Sequence, residues 1–185
     1  MTDRPGLIAF LANRSTKRGQ FTLASGKTST IYIDARLTTM SPDGLSLIGP
    51  LGLDALRKAS WKADAVGGLT LGADPIAYAI SYASASTENP IRAFTVRKQA
   101  KDHGTGKLIE GPFNPGDRVV VVEDVITTGR SALQAIDTVR QQQGVILGVL
   151  ALVDREEGGR EAIESAGTQV VSLVRVSEII ETLRD

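Results

Sequence analysis

The chain has 185 residues, with Lys plus Arg and Asp plus Glu each totalling 21, so the formal net charge is zero. That length suits one domain with an ample core, and the charge balance leaves no global basic field to recruit nucleic acid. Cysteine is absent, which excludes disulfides, thiolate metal sites and cysteine nucleophiles, and no stretch nears the roughly 20 apolar residues of a membrane span.

In chain order, Leu7, Ile8 and Leu11 predict a short amphipathic helix, and the segment from Met1 to Phe10 carries Asp3 and Pro5 where a signal peptide has an apolar core. A cytoplasmic protein is expected. Strands over Gln20–Leu23 and Thr30–Ala35 flank Ala24-Ser25-Gly26-Lys27, so roughly residues 1–40 form a small N-terminal cap. Ser41-Pro42-Asp43 starts a helix that runs to about Ala59 despite its glycines and Pro50. Asp64–Gly68 reads as a strand entering a glycine turn, followed by a helix over Pro75–Ser84 and a strand over Ile91–Val96. Further strands are expected at Arg118–Glu123, Val145–Val153 and Gln169–Val174, with a helix closing the chain. This alternation predicts an α/β fold in one domain, with a mainly parallel sheet flanked by helices.

The most informative segment is Val119-Val120-Val121-Val122-Glu123-Asp124-Val125-Ile126-Thr127-Thr128-Gly129-Arg130-Ser131. Four consecutive valines suit a central parallel strand buried on both faces, and the polar cluster then falls at its carboxyl end, where open α/β sheets bind ligands. Thr127, Thr128 and Ser131 offer hydroxyls, Gly129 allows close backbone approach, and the helix that follows opens with unpaired N–H groups suited to a phosphate. Leu133, Ile136 and Val139 give that helix its apolar face, and Gly144 stops it. Glu123 and Asp124 are placed to accept hydrogen bonds from the vicinal hydroxyls of a sugar and are hard oxygen ligands near a Mg²⁺. A Walker-type NTPase fits poorly, because the loop has no Gly-Lys-Ser/Thr. A second cluster, Arg97-Lys98-Gln99-Ala100-Lys101-Asp102-His103-Gly104-Thr105-Gly106-Lys107, holds the only histidine and reads as a cationic lid that a polyanion would order.

The run of valines, Glu-Asp and Thr-Thr-Gly-x-Ser resembles the phosphoribosyl pyrophosphate (PRPP) motif of the type I phosphoribosyltransferases. Within them, the Arg97-Lys98-x-x-Lys101-x-His103-Gly104-Thr105 pattern is similar to the catalytic loop of the orotate phosphoribosyltransferases. Phe21-x-Leu23-x-Ser25-Gly26-Lys27-x-Ser29 with Tyr32-x-Asp34 resembles their N-terminal hood. Gly67-Gly68-Leu69-Thr70-Leu71-Gly72-Ala73-Asp74 resembles their pyrophosphate loop, with Leu71-Gly72 where some bacterial members have Tyr-Lys. Backbone N–H groups of Gly68 to Ala73, with Thr70, Leu71, Gly72 and Ala73 as the loop itself, are therefore the expected pyrophosphate contacts.

The resemblance implies a pentosyltransferase that joins orotate to the ribose 5-phosphate of PRPP in UMP synthesis. It implies that Arg97, Lys98, Lys101 and His103 bind pyrophosphate and that Glu123, Asp124, Val125, Ile126, Thr127, Thr128, Gly129, Arg130 and Ser131 hold ribose 5-phosphate. Lys101, His103 and Asp124 would be catalytic. Arg155 and Thr127, with Lys27 more weakly, would contact orotate. Mg²⁺ would be the cofactor, near Glu123 and Asp124 but without a strong direct protein ligand. The family also implies a homodimer whose lid reaches the neighbouring site, and neither nucleic acid nor membrane as partner. Two rivals stay open: a phosphoribosyltransferase for another base, and a PRPP-sensing regulator of the same fold.

Overall fold

A computed structural model describes residues 3–22, 28–99 and 107–183. Helix α1 (Arg4–Phe10) starts where the Asp3 carboxylate accepts from Gly6 N at 2.8 Å, with Pro5 in the first turn, and it continues into a π-helical turn, Leu11–Ser15. Strands β1 (Thr16–Thr22) and β2 (Thr28–Ile33) then pair antiparallel, with Thr16 opposite Ile33. β1 thus begins at Thr16, ahead of the expected Gln20. The residues Thr16 to Gly19 have no apolar alternation and are extended because β2 folds back beside them. Asp34 and Ala35, expected in the second strand, lie beyond its end, where Asp34 N donates to Ser15 O at 2.8 Å and helix α2 (Arg36–Thr39) follows.

Helix α3 (Pro42–Lys58) opens where the Ser41 hydroxyl accepts from Gly44 N at 3.1 Å, and it buries Ile48, Leu51 and Leu56. The main sheet holds β3 (Ala65–Leu69), β4 (Arg92–Val96), β5 (Ile109–Glu110), β6 (Arg118–Ile126), β7 (Val145–Asp154) and β8 (Val170–Arg175). Their order is β5-β4-β3-β6-β7-β8, and every pairing is parallel except β4 with β5. Helices α4 (Asp74–Ser84), α5 (Arg130–Gln141), α6 (Gly159–Ser165) and α7 (Val176–Thr182) complete the layers.

Val119 to Val122 of β6 are all 0% exposed. Val120 and Val122 join the cluster of Ile48, Leu56, Ile76 and Ile80 from α3 and α4, whereas Val119 and Val121 join Ala135, Ile136 and Val139 of α5. Each such side chain contributes about 1.5–3 kcal/mol relative to exposure, so this strand anchors both halves of the core. β6 runs past the expected end at Glu123 because β7 keeps pairing with it as far as Ile126 opposite Asp154. β5 is only two residues long, too short to show a pattern, and α6 starts at a Gly-Gly pair that reads as a break. Neither was expected.

The N-terminal segment is tied to the end of the chain. Arg4 Nη2 donates to both Glu178 oxygens at 2.7 Å, and Arg4 Nε donates to Leu173 O at 2.8 Å. Among the described residues no helix is long and apolar enough to cross a membrane. The decisive feature for a site is the order of strands. From β3 the chain passes outward to β4, then returns to place β6 on the other side of β3. The carboxyl ends of β3 and β6 therefore diverge into loops on either side of a crevice, the place where α/β sheets take ligands.

Candidate active site

A cavity of about 700 Å³ opens at that crevice. Its floor is the loop after β6, where Gly129 adopts φ +77° and caps α5, turning the chain so that the first-turn N–H groups face outward. Residues Glu123 and Val125 to Ser131 also enclose a niche of about 100 Å³. Its size and donors suit a phosphate group. Arg130 and Ser131 also line the larger cavity, while the Ile126 side chain is 1% exposed and packs in the core.

The acidic pair sits at the sheet end, where burial controls its charge. Glu123 is pushed up to about 8, first by burial and second by the charge of Asp124. Its Oε2 is buried with no hydrogen-bond partner among the described residues. Such an atom is costly to leave unpaired in a folded protein, and the carboxyl that carries it lines the cavity. Asp124 is also raised by burial, partly offset by Val125 N, which donates to its Oδ1 at 2.8 Å.

The loop after β3 forms the opposite wall through Thr70, Leu71 and Gly72. A Cβ added to Gly72 would lie 2.5 Å from Asp124 Oδ2, so any larger residue here would push the acid aside. The buried Asp74 carboxylate accepts from Thr70 Oγ1 at 2.8 Å and Thr95 Oγ1 at 2.9 Å, locking this loop to β4. Ala73 is 2% exposed and caps α4 from behind the wall.

Of the cationic segment, Lys98 reaches the cavity wall. Arg97 is outside the wall and pairs with Glu110 at 3.1 Å. Arg97 N also donates to Leu108 O at 2.8 Å, so the segment springs from the two adjacent ends of β4 and β5. Lys27, Lys101 and His103 lie outside the described residues.

Arg155 lines the cavity at the end of β7 and is 7% exposed, and its N–H donates to Ile126 O at 3.0 Å. Its guanidinium donates to Glu157 Oε1 through Nε at 3.0 Å and Nη2 at 2.7 Å, and Nη2 meets Ile31 O of β2 at 3.4 Å. The loop carrying it packs directly on the loop after β6. A Cβ on Gly159 would stand 2.6 Å from Thr127 O and 2.8 Å from Gly129 N.

Arg36 was missed by sequence reasoning. With Tyr32 and Asp34 it lines the cavity, and its Nε and Nη2 donate to the two Asp34 oxygens at 2.8 and 3.1 Å. That pairing holds the Asp34 carboxyl below its ordinary range. The Asp-x-Arg spacing was a visible signal, but only the fold brings this end of the hood above β6.

No protein-family model matches the chain. It is 47% identical over 183 residues to the orotate phosphoribosyltransferase of Aquifex aeolicus, covering 97% of this chain and 99% of that one. The crystal structure of the Mycobacterium tuberculosis orotate phosphoribosyltransferase in complex with PRPP superposes with a TM-score of 0.79 at 40% identity, covering 95% of this chain and 98% of that one. The adenine phosphoribosyltransferase of Leishmania donovani, at 16% identity and a TM-score of 0.66, shares the fold alone. Identity at the level of the Aquifex protein, held from end to end of both sequences over the same fold, means that the chain belongs to the orotate phosphoribosyltransferase family.

Proposed function

We propose that the protein transfers the ribose 5-phosphate group of PRPP to N1 of orotate, giving orotidine 5′-monophosphate and pyrophosphate for UMP synthesis in the cytoplasm. The observation that carries this reading is the meeting, in one crevice, of a phosphate-sized niche, the buried Glu123 carboxyl and the buried guanidinium of Arg155. These groups match the three polar ends of the reactants. The 5-phosphate takes the N–H groups and hydroxyls of Thr127 to Ser131, the ribose hydroxyls take Glu123 and Asp124, and the carboxylate of the base takes the charged guanidinium of Arg155.

The transfer breaks the bond from ribose C1 to the pyrophosphate oxygen and forms one from C1 to N1, whose proton leaves to water or to the departing pyrophosphate. In this reading no protein nucleophile takes part. C1 passes through an oxocarbenium-like state, so catalysis rests on alignment and on charge placed where pyrophosphate departs. Lys98 on the wall, with Lys101 and His103 of the same cationic segment, supplies that charge, and the Thr70 to Ala73 backbone holds the leaving group on the opposite side. Arg97 joins them on release from Glu110.

Mg²⁺ fits this donor set. The described residues contain no cluster of three or more ligating side chains, and Glu123 and Asp124 are the hard oxygen donors that would face the ion. Such an ion neutralises pyrophosphate and ribose oxygens when bound. We further propose a homodimer whose lid serves the neighbouring site. Leu37, Met40, Tyr78 and Tyr82, exposed by 47%, 48%, 53% and 86% in the single chain, support a covered surface.

The test is loss of orotate in the presence of PRPP and Mg²⁺, run beside adenine, hypoxanthine, uracil and nicotinate and with a chelator control. Magnesium-dependent loss of orotate alone is the expected result. Turnover of another base removes the orotate assignment, and PRPP binding without turnover of any base favours a regulator.

A further inference from the structure

We propose that Glu157 is a positioning residue for base selection, holding the Arg155 guanidinium in the one orientation that receives the carboxylate of the incoming base. The inference rests on the reading of Arg155 given above and deepens it.

A guanidinium on a flexible stem has several rotamers, and one buried at a cavity wall needs a counter-charge to stay there. Glu157 supplies both restraints. Its Oε1 accepts from Nε at 3.0 Å and from Nη2 at 2.7 Å, and two bonds from one edge of the fork to a single oxygen fix the plane of the group. The carbonyl of Ile31 in β2 lies 3.4 Å from Nη2, so the hood touches the same guanidinium. Arg155 lines the cavity and Glu157 does not, which puts the carboxylate behind the arginine and out of the space a substrate would fill.

The local backbone is shaped for this contact. Glu156 at φ +56° and Gly158 at φ +94° flank residue 157 with left-handed turns, which bring its side chain back onto a residue only two positions earlier. Asp154, 2% exposed, braces the turn: its Oδ1 accepts from Glu156 N at 2.9 Å and its Oδ2 from Arg160 Nε at 2.7 Å. Such bracing gives a charged side chain the precision that a free surface loop lacks.

The experiment compares wild type, Glu157→Ala and Glu157→Gln for kcat and for KM toward orotate and PRPP separately. Glu157→Ala is expected to raise KM for orotate about tenfold, the size of one lost charge-assisted hydrogen bond, with kcat and KM for PRPP within about twofold. Glu157→Gln keeps an oxygen that accepts from both nitrogens but loses the counter-charge, and is expected to recover only part of the loss. Unchanged KM for orotate overturns the proposal, as does an equal rise in both KM values. A fall in KM for orotate overturns it too, since Glu157 would then be a competitor for Arg155. Should the alanine variant fail to fold, a KM raised for orotate alone in the glutamine variant beside a wild-type thermal midpoint supports the proposal, and wild-type kinetics or an equally raised KM for PRPP there overturns it. If wild type itself consumes no orotate, the assigned reaction falls first, and this inference with it.

Discussion

At the scale of single residues, the site is governed by how burial treats charge. Glu123 is surrounded by protein at a sheet end, and its carboxyl is held protonated to about pH 8 against an ordinary 4.5. The folded state then keeps a proton that the unfolded chain has already released, so between about 4.5 and about 8 this residue lowers stability as pH rises. Glu123→Gln is therefore expected to raise the thermal midpoint of the ligand-free protein by several degrees at pH 8, with the gain vanishing near pH 4.5, while PRPP affinity drops sharply. Calorimetry across that range, beside PRPP titration, checks both halves. A gain that stays constant with pH would show that packing, not ionisation, sets the difference. Glu123 and Asp124 stood out in the sequence because two acids follow a run of valines, but their charge state depended on how much protein closes over them.

At the scale of elements, parallel strands are stitched at both ends. At the carboxyl ends, Gly72 against Asp124 and Gly159 against Thr127 let three loops approach one another closely. At the opposite ends, Arg118 of β6 donates through Nε and Nη2 to the two oxygens of Asp64, just before β3, at 2.9 and 2.8 Å. That pairing lowers the Asp64 carboxyl from its ordinary 3.8 to about 2. A lowered acid contributes stability that is present above about 3.8 and lost as pH falls through about 2. Asp64→Asn is expected to destabilise modestly at neutral pH, because the pair is partly exposed, and to match wild type near pH 2. Thermal unfolding followed from neutral to acid pH tests this, and a gap that persists at pH 2 would exclude the ion pair as its source. The strands were legible from their β-branched runs. The short β5 and α6 were not, since their existence depends on what lies beside them.

At the scale of the whole molecule, the proposed dimer has a direct consequence. If the lid of one subunit serves its neighbour, Lys101→Ala and Asp124→Asn proteins, each inactive alone, are expected to regain roughly a quarter of wild-type activity when mixed and allowed to exchange. Random pairing makes about half of the dimers hybrid, and each hybrid holds one intact site of two. No recovery in a mixture shown to exchange subunits would place the lid on its own subunit's site.

The sequence by itself determined the alternation of strand and helix, the buried central strand and the Thr/Gly turn proposed to hold phosphate. These rest on local periodicity and on backbone preferences that neighbouring residues set together. It also carried the motifs of the family, because their chemistry is contiguous in the chain. Only the tertiary structure decided the rest: that Arg36 stands above the acids of β6, that Asp74 locks the first loop through Thr95, and that Glu157 backs Arg155 instead of entering the cavity. The physical reason is distance along the chain and direction in space. Strand order brings residues of the hood, β3, β6 and β7 to one crevice, and neither that order nor the direction of a side chain after a left-handed turn is written in local pattern.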